Sequence, residues 1–431
     1  MIPNHSAPPT TALAKVALTN NWSFSPAYSY RQTFHRKSPE QSARLLKYTP
    51  VDFRRYLSDE INWNGRLVGI KGARGVGKTT LLLQYLKGLG LQPHQAAYFS
   101  LDDLYFAGKT LRETGDQFYK QGGRVLALDE VHKYPNWAAE VKNLHDFYPD
   151  LQIFFTGSSI IDIAKEEGDL SRRALLYELA GLSFREYLAM KKIASLPVLR
   201  LEQLLEDPES VRIFLTQGLK PLEHFNDYLR YGYYPFGVED PTSLYQRINQ
   251  VVRTIVEIDM AELPSFDIRN ARKMLQLIEV IAGQVPFKPN IKELAEKKQI
   301  HRNSINSYLH YLEQAKIISL LHPAGSSTAT LQKPEKIFLQ NTTLLFALAK
   351  ERFELGSVRE TFVQSMLSVN HTLTAPKKGD FLVDNKFTLE VGGSTKKRGQ
   401  IKSISNAWVV KDGVEIGSKG VLPIWGLGLM Y

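Results

Sequence analysis

The chain contains no cysteine. Disulfides, thiolate metal sites, iron–sulfur clusters and a cysteine nucleophile are excluded, and a reducing compartment is the expectation that fits. No stretch approaches the roughly 18 apolar residues that span a bilayer. The segment Met1-Ile2-Pro3-Asn4-His5 has no basic region followed by an apolar core. A secretory signal is not expected; a cytoplasmic location without a membrane partner is. No sequence period repeats, and no basic stripe interleaved with aromatics marks a surface for single-stranded nucleic acid.

What is present suits a large globular protein. The 431 residues are 43% hydrophobic and 23% charged, enough for about three domains with substantial cores. The net charge of +10 is uneven: residues 1–71 carry 10 basic and 4 acidic side chains, residues 72–332 carry 30 and 31, and residues 333–431 carry 14 and 9. A polyanion would favour the two ends, although the excess also serves solubility.

Residues 1–40 are rich in Ser, Thr, Pro and Asn and read as an irregular extension. From Arg66 strand and helix alternate. Strands are expected at Leu67–Ile70, Ala96–Phe99, Arg124–Glu130 and Leu151–Gly157, with a fifth at Leu175–Leu182. Helices are expected at Thr79–Leu86 and Trp137–Phe147. This alternation means βαβ units around a parallel sheet, an α/β fold. Helices should dominate Phe184–Asp259, broken at Tyr231-Gly232-Tyr233-Tyr234-Pro235. Three short helices follow (Arg272–Gly283, Ile291–Lys297, Asn303–Gln314), then strands Lys316–Leu321 and Lys336–Leu339 around a Gly325-Ser326-Ser327-Thr328 tip. That is the outline of a winged helix-turn-helix. Gly356–Tyr431 reads as a helix followed by strands at Asp380–Val383, Phe387–Val391, Ala407–Val410 and Val421–Trp425.

Gly72-Ala73-Arg74-Gly75-Val76-Gly77-Lys78-Thr79 matches the phosphate-loop pattern G-x-x-x-x-G-K-[ST] in full, between a buried strand and a helix. Glycines let main-chain N–H groups turn toward a phosphate, and the helix N-terminus adds donors and positive dipole. Lys78 would neutralise β- and γ-phosphate charge; the Thr79 hydroxyl would coordinate Mg²⁺, and Thr80 completes the loop. In Leu126-Ala127-Leu128-Asp129-Glu130 an apolar strand ends in two carboxylates. Asp129 would hold Mg²⁺ through water, and Glu130 would polarise the attacking water.

In Phe155-Thr156-Gly157-Ser158-Ser159 a hydroxyl can sense the γ-phosphate or the water. Thr156 is the first candidate and Ser158 the second; a helix cap by Ser158 or Ser159 is the simpler alternative. Arg172 or Arg173 would supply transition-state charge in cis or from a neighbouring subunit, or pair with Glu166, Glu167 or Asp169. His132 reads as a structural residue or as polar support for the acidic pair.

Together these stretches resemble the bacterial and archaeal AAA-type P-loop ATPases that carry a winged helix and a C-terminal restriction-endonuclease-like domain of unknown function. The matching segments are Gly72–Thr80, Leu128–Trp137, Phe155–Ser159, Gly181-Leu182-Ser183-Phe184-Arg185-Glu186-Tyr187, Tyr231–Pro235 and Glu390-Val391-Gly392-Gly393. The resemblance implies ATP rather than GTP, in keeping with the lack of an Asn-Lys-x-Asp motif. It also raises the weight of Arg172 or Arg173 as a finger. The implied organisation is an extension over 1–44, a P-loop ATPase domain over 45–195, a helical lid over 196–265, a winged helix over 266–345 and a nuclease-like domain over 346–431.

Restriction-endonuclease-like folds use a helix Glu, a strand Asp and Glu-x-Lys on the next strand. Glu360, Asp380 and Glu390 would fill the first three places. Gly392 stands where the lysine belongs, so an inactive domain is expected unless Lys396, Lys397 or Gln400 reaches in. Residues 271–323 carry eight basic and four acidic groups, and His301-Arg302-Asn303-Ser304 would meet DNA or, equally, a protein partner. The expected activity is ATP hydrolysis driving a switch or motor, with Mg²⁺ as cofactor, DNA as a second partner and self-association open. The alternative is a DNA-binding protein or Mg²⁺-dependent nuclease in which nucleotide is structural or regulatory.

Overall fold

The computed structural model describes residues 42–158, 170, 172–262, 266–288, 302–325, 333–350 and 353–431, without the side chains of 262, 302 and 303. Residues 1–41 of the expected extension, helix Ile291–Lys297, the hairpin tip from Ser326, Ser159, Glu166, Glu167, Asp169 and His301 lie outside them; residues 42–44, expected in the extension, are helical, and Ser42 Oγ accepts the Tyr98 N–H at 3.0 Å.

Strands β1 (Leu67–Gly72), β2 (Ala96–Ser100), β3 (Val125–Asp129), β4 (Gln152–Ser158) and β5 (Leu175–Glu178) form a parallel sheet in the order β2-β3-β4-β1-β5. Strands β3 and β4 are almost wholly buried, as a sheet covered on both faces requires. Helices α1 (Lys78–Gly88), α2 (Leu111–Lys120) and α3 (Trp137–Phe147) connect them. The expected β5 ends early, at Glu178. From there the chain turns away, and Leu179–Gly181 serve other contacts with their backbone.

The C-terminal ends of the five strands share one edge, where an open parallel sheet places its ligand crevice. β4 separates β1 from β3. The loop after β1 and the carboxylates ending β3 are therefore bridged by the tip of β4.

Beyond the sheet, α4 (Phe184–Met190) leads into short helices and α5 (Leu244–Thr254). Two π-turns, Tyr228–Gly232 and Ile255–Asp259, interrupt this region; such turns often accompany functional sites. Helices α6 (Ala271–Ala282) and α7 (Arg302–Gln314) precede an antiparallel hairpin of β6 (Ile318–Leu321) and β7 (Lys336–Leu339).

After α8 (Thr342–Leu348) and α9 (Leu355–Leu367) comes a second sheet: β8 (Leu373–Thr374), β9 (Phe381–Val383), β10 (Phe387–Gly392), β11 (Ala407–Lys411) and β12 (Val421–Pro423), in that order. β8, β9 and β10 are antiparallel neighbours; β10, β11 and β12 are parallel. The two-residue β8 was not expected. One apolar cluster runs from Tyr56 through Met274 and Phe338 to Tyr431, so the units share a continuous core.

Candidate functional site

The loop Gly72–Gly77 joins β1 to α1. Gly75 and Gly77 have φ of +86° and +98°, a region in which glycine is free and other residues are strained. Close packing adds a second constraint: a Cβ at Gly75 would lie 2.7 Å from the Phe236 ring, and one at Gly72 would lie 2.5 Å from the Leu179 carbonyl. Phe236 thus covers the loop from the helical region.

Lys78 is buried, and its Nζ donates to the carbonyls of Gly72 (2.9 Å) and Ala73 (3.1 Å). Burial lowers its pKa, opposed by the charges of Glu130 and Asp129. Its ammonium rests on neutral oxygens of its own loop rather than on an acid.

Asp129 is buried and accepts three hydroxyls. Thr79 Oγ1 and Tyr98 OH donate to Oδ2 at 2.8 and 2.7 Å, and Thr156 Oγ1 donates to Oδ1. Thr156 also accepts the Glu130 N–H at 3.2 Å. At the tip of β4, Thr156 thus joins the acidic pair. Ser158 instead presents its N–H to His132 Nδ1 at 3.4 Å.

Glu130 adopts φ +51°, a left-handed conformation that costs a non-glycine residue roughly 1–3 kcal/mol and clusters at functional sites. Burial raises its carboxyl pKa, partly offset by Lys78. His132 Nε2 lies 3.2 Å from Glu130 Oε2, but not in hydrogen-bond alignment. Burial, helped by Lys133, lowers the His132 pKa to about 4, so the ring is neutral at neutral pH. With Nδ1 accepting from Ser158, its proton sits on Nε2, facing Glu130.

The structure gathers Lys78, Thr79, Asp129, Glu130 and Thr156 at one sheet edge, beside the glycine cradle. A hydroxyl and a carboxylate 2.8 Å apart, next to amides and an ammonium with no acidic partner among the described residues, fit a Mg²⁺–triphosphate group. Thr80 is exposed one residue further along α1.

Arg172 is not brought here. β5 runs parallel to β1 with Leu175 beside Val68, so Arg172 lies before the start of β5, toward the edge opposite the loop. Arg173 pairs there with Asp146 at 2.8 Å. An arginine finger in cis is not supported by this placement; Arg172 itself is exposed.

Three supports were not anticipated. Arg55 Nε and Glu186 Oε1 form a buried pair at 3.0 Å. Arg55 also donates to Val76 O at 2.5 Å, Ala180 O at 2.7 Å and Gly181 O at 2.9 Å. Glu186 belongs to the 181–187 motif, and Ser183 and Glu186 form the capping box of α4. A Cβ at Gly181 would meet the Tyr233 ring at 2.2 Å, and Leu182 N donates to Tyr233 O at 2.8 Å. The 181–187 and 231–235 motifs therefore pack on each other and on the loop. Asp259, fully buried, accepts from Arg74 (3.0 Å) and Lys133 (3.0 Å). Tyr98 is the third. The two motifs were the available sequence signal; Arg55, Asp259 and Tyr98 stand far away in sequence and carried none.

A second charged cluster lies in the C-terminal sheet. Lys336 of β7 bridges Glu360 of α9 (2.8 Å) and Asp380 (3.3 Å). Lys396 reaches Glu390 Oε1 at 2.5 Å, and Asp380 Oδ2 accepts Val391 N–H at 2.8 Å. A Cβ at Gly392 would lie 2.6 Å from Lys396 Cγ. Of the three residues considered to replace the missing lysine, Lys396 is the one whose stem fills that place.

Residues 64–188 match a family model described as an AAA domain. Fold and motif together define an AAA-type P-loop domain. Residues 222–354 match a model described as a domain of unknown function (DUF8612). The uncharacterized protein MJ1637 of Methanocaldococcus jannaschii is 27% identical over 385 residues, covering 82% of this chain and 81% of that protein. Among solved structures, the S. cerevisiae Hsp104–ADP complex aligns with 18% identity and a TM-score of 0.31 over 65% of this chain and 42% of its own. AMPPCP-bound DnaA from Aquifex aeolicus aligns with 16% identity and a TM-score of 0.25 over 65% of this chain and 89% of its own. No described helix is long and apolar enough to cross a membrane.

Proposed function

We propose that the chain binds ATP with Mg²⁺ on Gly72–Thr80 and hydrolyses it to ADP and phosphate, as a switch or motor acting on the regions beyond the sheet. The observation that carries this reading is Lys78. A buried ammonium held, among the described residues, by carbonyls of its own loop gains from exchanging them for phosphate oxygens. Thr79 and Asp129 would hold the metal, which supplies charge neutralisation on the β- and γ-phosphates when bound.

Glu130 orients a water and takes its proton as the water oxygen bonds to the γ-phosphorus and the bond to the β–γ bridging oxygen breaks. A raised pKa makes Glu130 a stronger base than a solvated glutamate. His132, neutral at neutral pH, stands beside that carboxylate at 3.2 Å without a hydrogen bond to it. Thr156 holds Asp129 and the Glu130 backbone in register. Asp259, on Arg74 and Lys133, ties loop and acidic strand to the helical region and so provides a physical link through which phosphate occupancy is felt there. Arg172, if it contributes charge, does so from a second copy of the chain.

The α6–α7 and hairpin region reads as a winged helix, and residues 353–431 as a nuclease-like unit. The segment just after β6 supports a structural role rather than DNA contact: Ala375 N donates to His322 O at 2.8 Å and Ala324 N to Ala375 O at 3.0 Å, binding the hairpin to the C-terminal unit. DNA remains a partner for α7 and the basic ends. The site of action in this reading is the cytoplasm. Phosphate release from MgATP tests the central claim: Lys78→Ala should lose it, and undiminished turnover in that variant would refute it.

A further inference from the structure

Phosphoryl transfer needs a cation for the charge that builds on the phosphate oxygens in the transition state. Arg172 and Arg173 precede β5, toward the opposite edge of the sheet, and Arg173 is bound to Asp146. Arg55 is fully engaged: its Nε, Nη1 and Nη2 donate to Glu186 and to three carbonyls.

Arg74 differs from all three. It is the third residue of the phosphate loop, between Ala73, whose carbonyl accepts Lys78 Nζ at 3.1 Å, and Gly75 with its φ of +86°. Its backbone is thus part of the cradle, and its side chain is 40% exposed. Nη1 alone is engaged, at 3.2 and 3.0 Å from the two carboxylate oxygens of Asp259. Among the described residues Nη2 and Nε donate to no acceptor, so both are available to a ligand. A planar guanidinium matches phosphate oxygens two at a time. Its charge already reaches the catalytic carboxylate: burial raises the Glu130 pKa, and Lys78 and then Arg74 are the cations that lower it.

Asp259 makes this arginine movable. The carboxylate is fully buried and also accepts Lys133 Nζ at 3.0 Å. A buried acid that loses its sole cation is strongly destabilised, whereas one that holds two can release one. Lys133, three residues beyond Glu130 and 18% exposed, is the one placed to stay. Arg74, the more exposed, is the one placed to leave.

We propose that Arg74 is the transition-state cation that the chain supplies to its own site: its guanidinium leaves Asp259 for the γ-phosphate while Lys133 remains on that carboxylate. This rests on the ATPase reading and adds to it the residue that meets the developing charge. The water oxygen bonds to the γ-phosphorus, its proton passes to Glu130, and the bond to the bridging oxygen breaks with its electron pair going to ADP. Nη2 and Nε donate to the oxygens on which that charge gathers. The same movement loosens the loop from the π-turn Ile255–Asp259.

Phosphate release and nucleotide calorimetry on the full-length chain test this. Arg74→Ala should lose about a hundredfold or more in kcat, keep MgATP affinity within about threefold and melt near wild type. Guanidinium ion at a non-denaturing concentration should restore part of the turnover of Arg74→Ala and none of that of Lys78→Ala. MgADP with fluoroaluminate, a mimic of the transferring phosphoryl group, should bind wild type about tenfold or more tighter than Arg74→Ala, while MgADP alone binds both alike. Turnover per chain should be the same at every protein concentration. Arg74→Gln replaces the alanine variant if that one does not fold. Three results overturn the proposal while leaving wild-type hydrolysis in place. One is wild-type kcat in Arg74→Ala. Another is a loss of kcat matched by losses of MgATP affinity and melting temperature without guanidinium rescue, which would make Arg74 a brace for Asp259. The third is turnover per chain that rises with protein concentration, which would give the cation to a second copy. A folded wild type that takes up no MgATP, or Lys78→Ala at full rate, instead removes the ATPase reading and Arg74 with it.

Discussion

The phosphate loop and the C-terminal cluster are built from similar parts, acids at strand ends with lysines beside them, yet they use their lysines oppositely. Lys78 is parked on carbonyls of its own loop, while Asp129 is satisfied by three hydroxyls. Lys336 and Lys396 are bound directly to carboxylates. Cation and anion are kept apart in the first cluster, which therefore has something to offer a phosphate and a metal. In the second they are already joined. Motif residues alone do not distinguish a site prepared for a ligand from one already neutralised; the partner of each ammonium does.

The largest effect expected from this contrast is on turnover. Lys78→Met should lower ATP hydrolysis by about a hundredfold to a thousandfold, typical for loss of a transition-state charge contact, with little change in the denaturant midpoint, because its partners are backbone carbonyls. Comparable losses of stability and turnover would break the distinction. Lys336→Met should behave inversely. It should cost about 1–3 kcal/mol in urea unfolding, since two partly buried carboxylates lose their cation, and leave hydrolysis near wild type.

A smaller effect separates the clusters by pH. Burial raises the Glu130 pKa from its ordinary 4.5. The ionised form is the base, so the rate should fall as pH drops through a value above 4.5, and that limb should vanish in Glu130→Gln. The sign for stability is the reverse. A carboxyl with a raised folded pKa stabilises the fold at low pH and loses that contribution as pH rises through the folded value. A rate limb at or below 4.5 would contradict the burial argument. The smallest effect is at Tyr98. Tyr98→Phe removes one of the three donors to Asp129 and should cost about 1 kcal/mol in stability or Mg²⁺-dependent nucleotide affinity.

The loop, the acidic pair and four of the five strands were legible within a residue or two, because each is a local pattern: alternating apolar runs, glycine spacing, a strand ending in acids. The place of Thr156 as a strand-tip hydroxyl beside the acidic pair was legible for the same reason. Arg55, Tyr98 and Asp259 were not. Each meets the site only through the fold, across 21 residues from Arg55 to Val76, 31 from Tyr98 to Asp129 and 185 from Arg74 to Asp259. The placement of Arg172 away from the loop likewise follows from β5 register, which its sequence neighbourhood does not encode. In the C-terminal unit the acids were legible, but the residue opposing them came from a hairpin assigned to another unit.

The most direct test is to titrate MgATP into folded wild type and Glu130→Gln by calorimetry and then follow phosphate release from each. The account predicts that both take up the nucleotide with similar affinity, that wild type releases phosphate, and that Glu130→Gln holds ATP with release slowed by about a hundredfold or more. A well-folded wild-type chain that takes up no adenine nucleotide at millimolar magnesium, or a Glu130→Gln chain that turns over as fast as wild type, would contradict it.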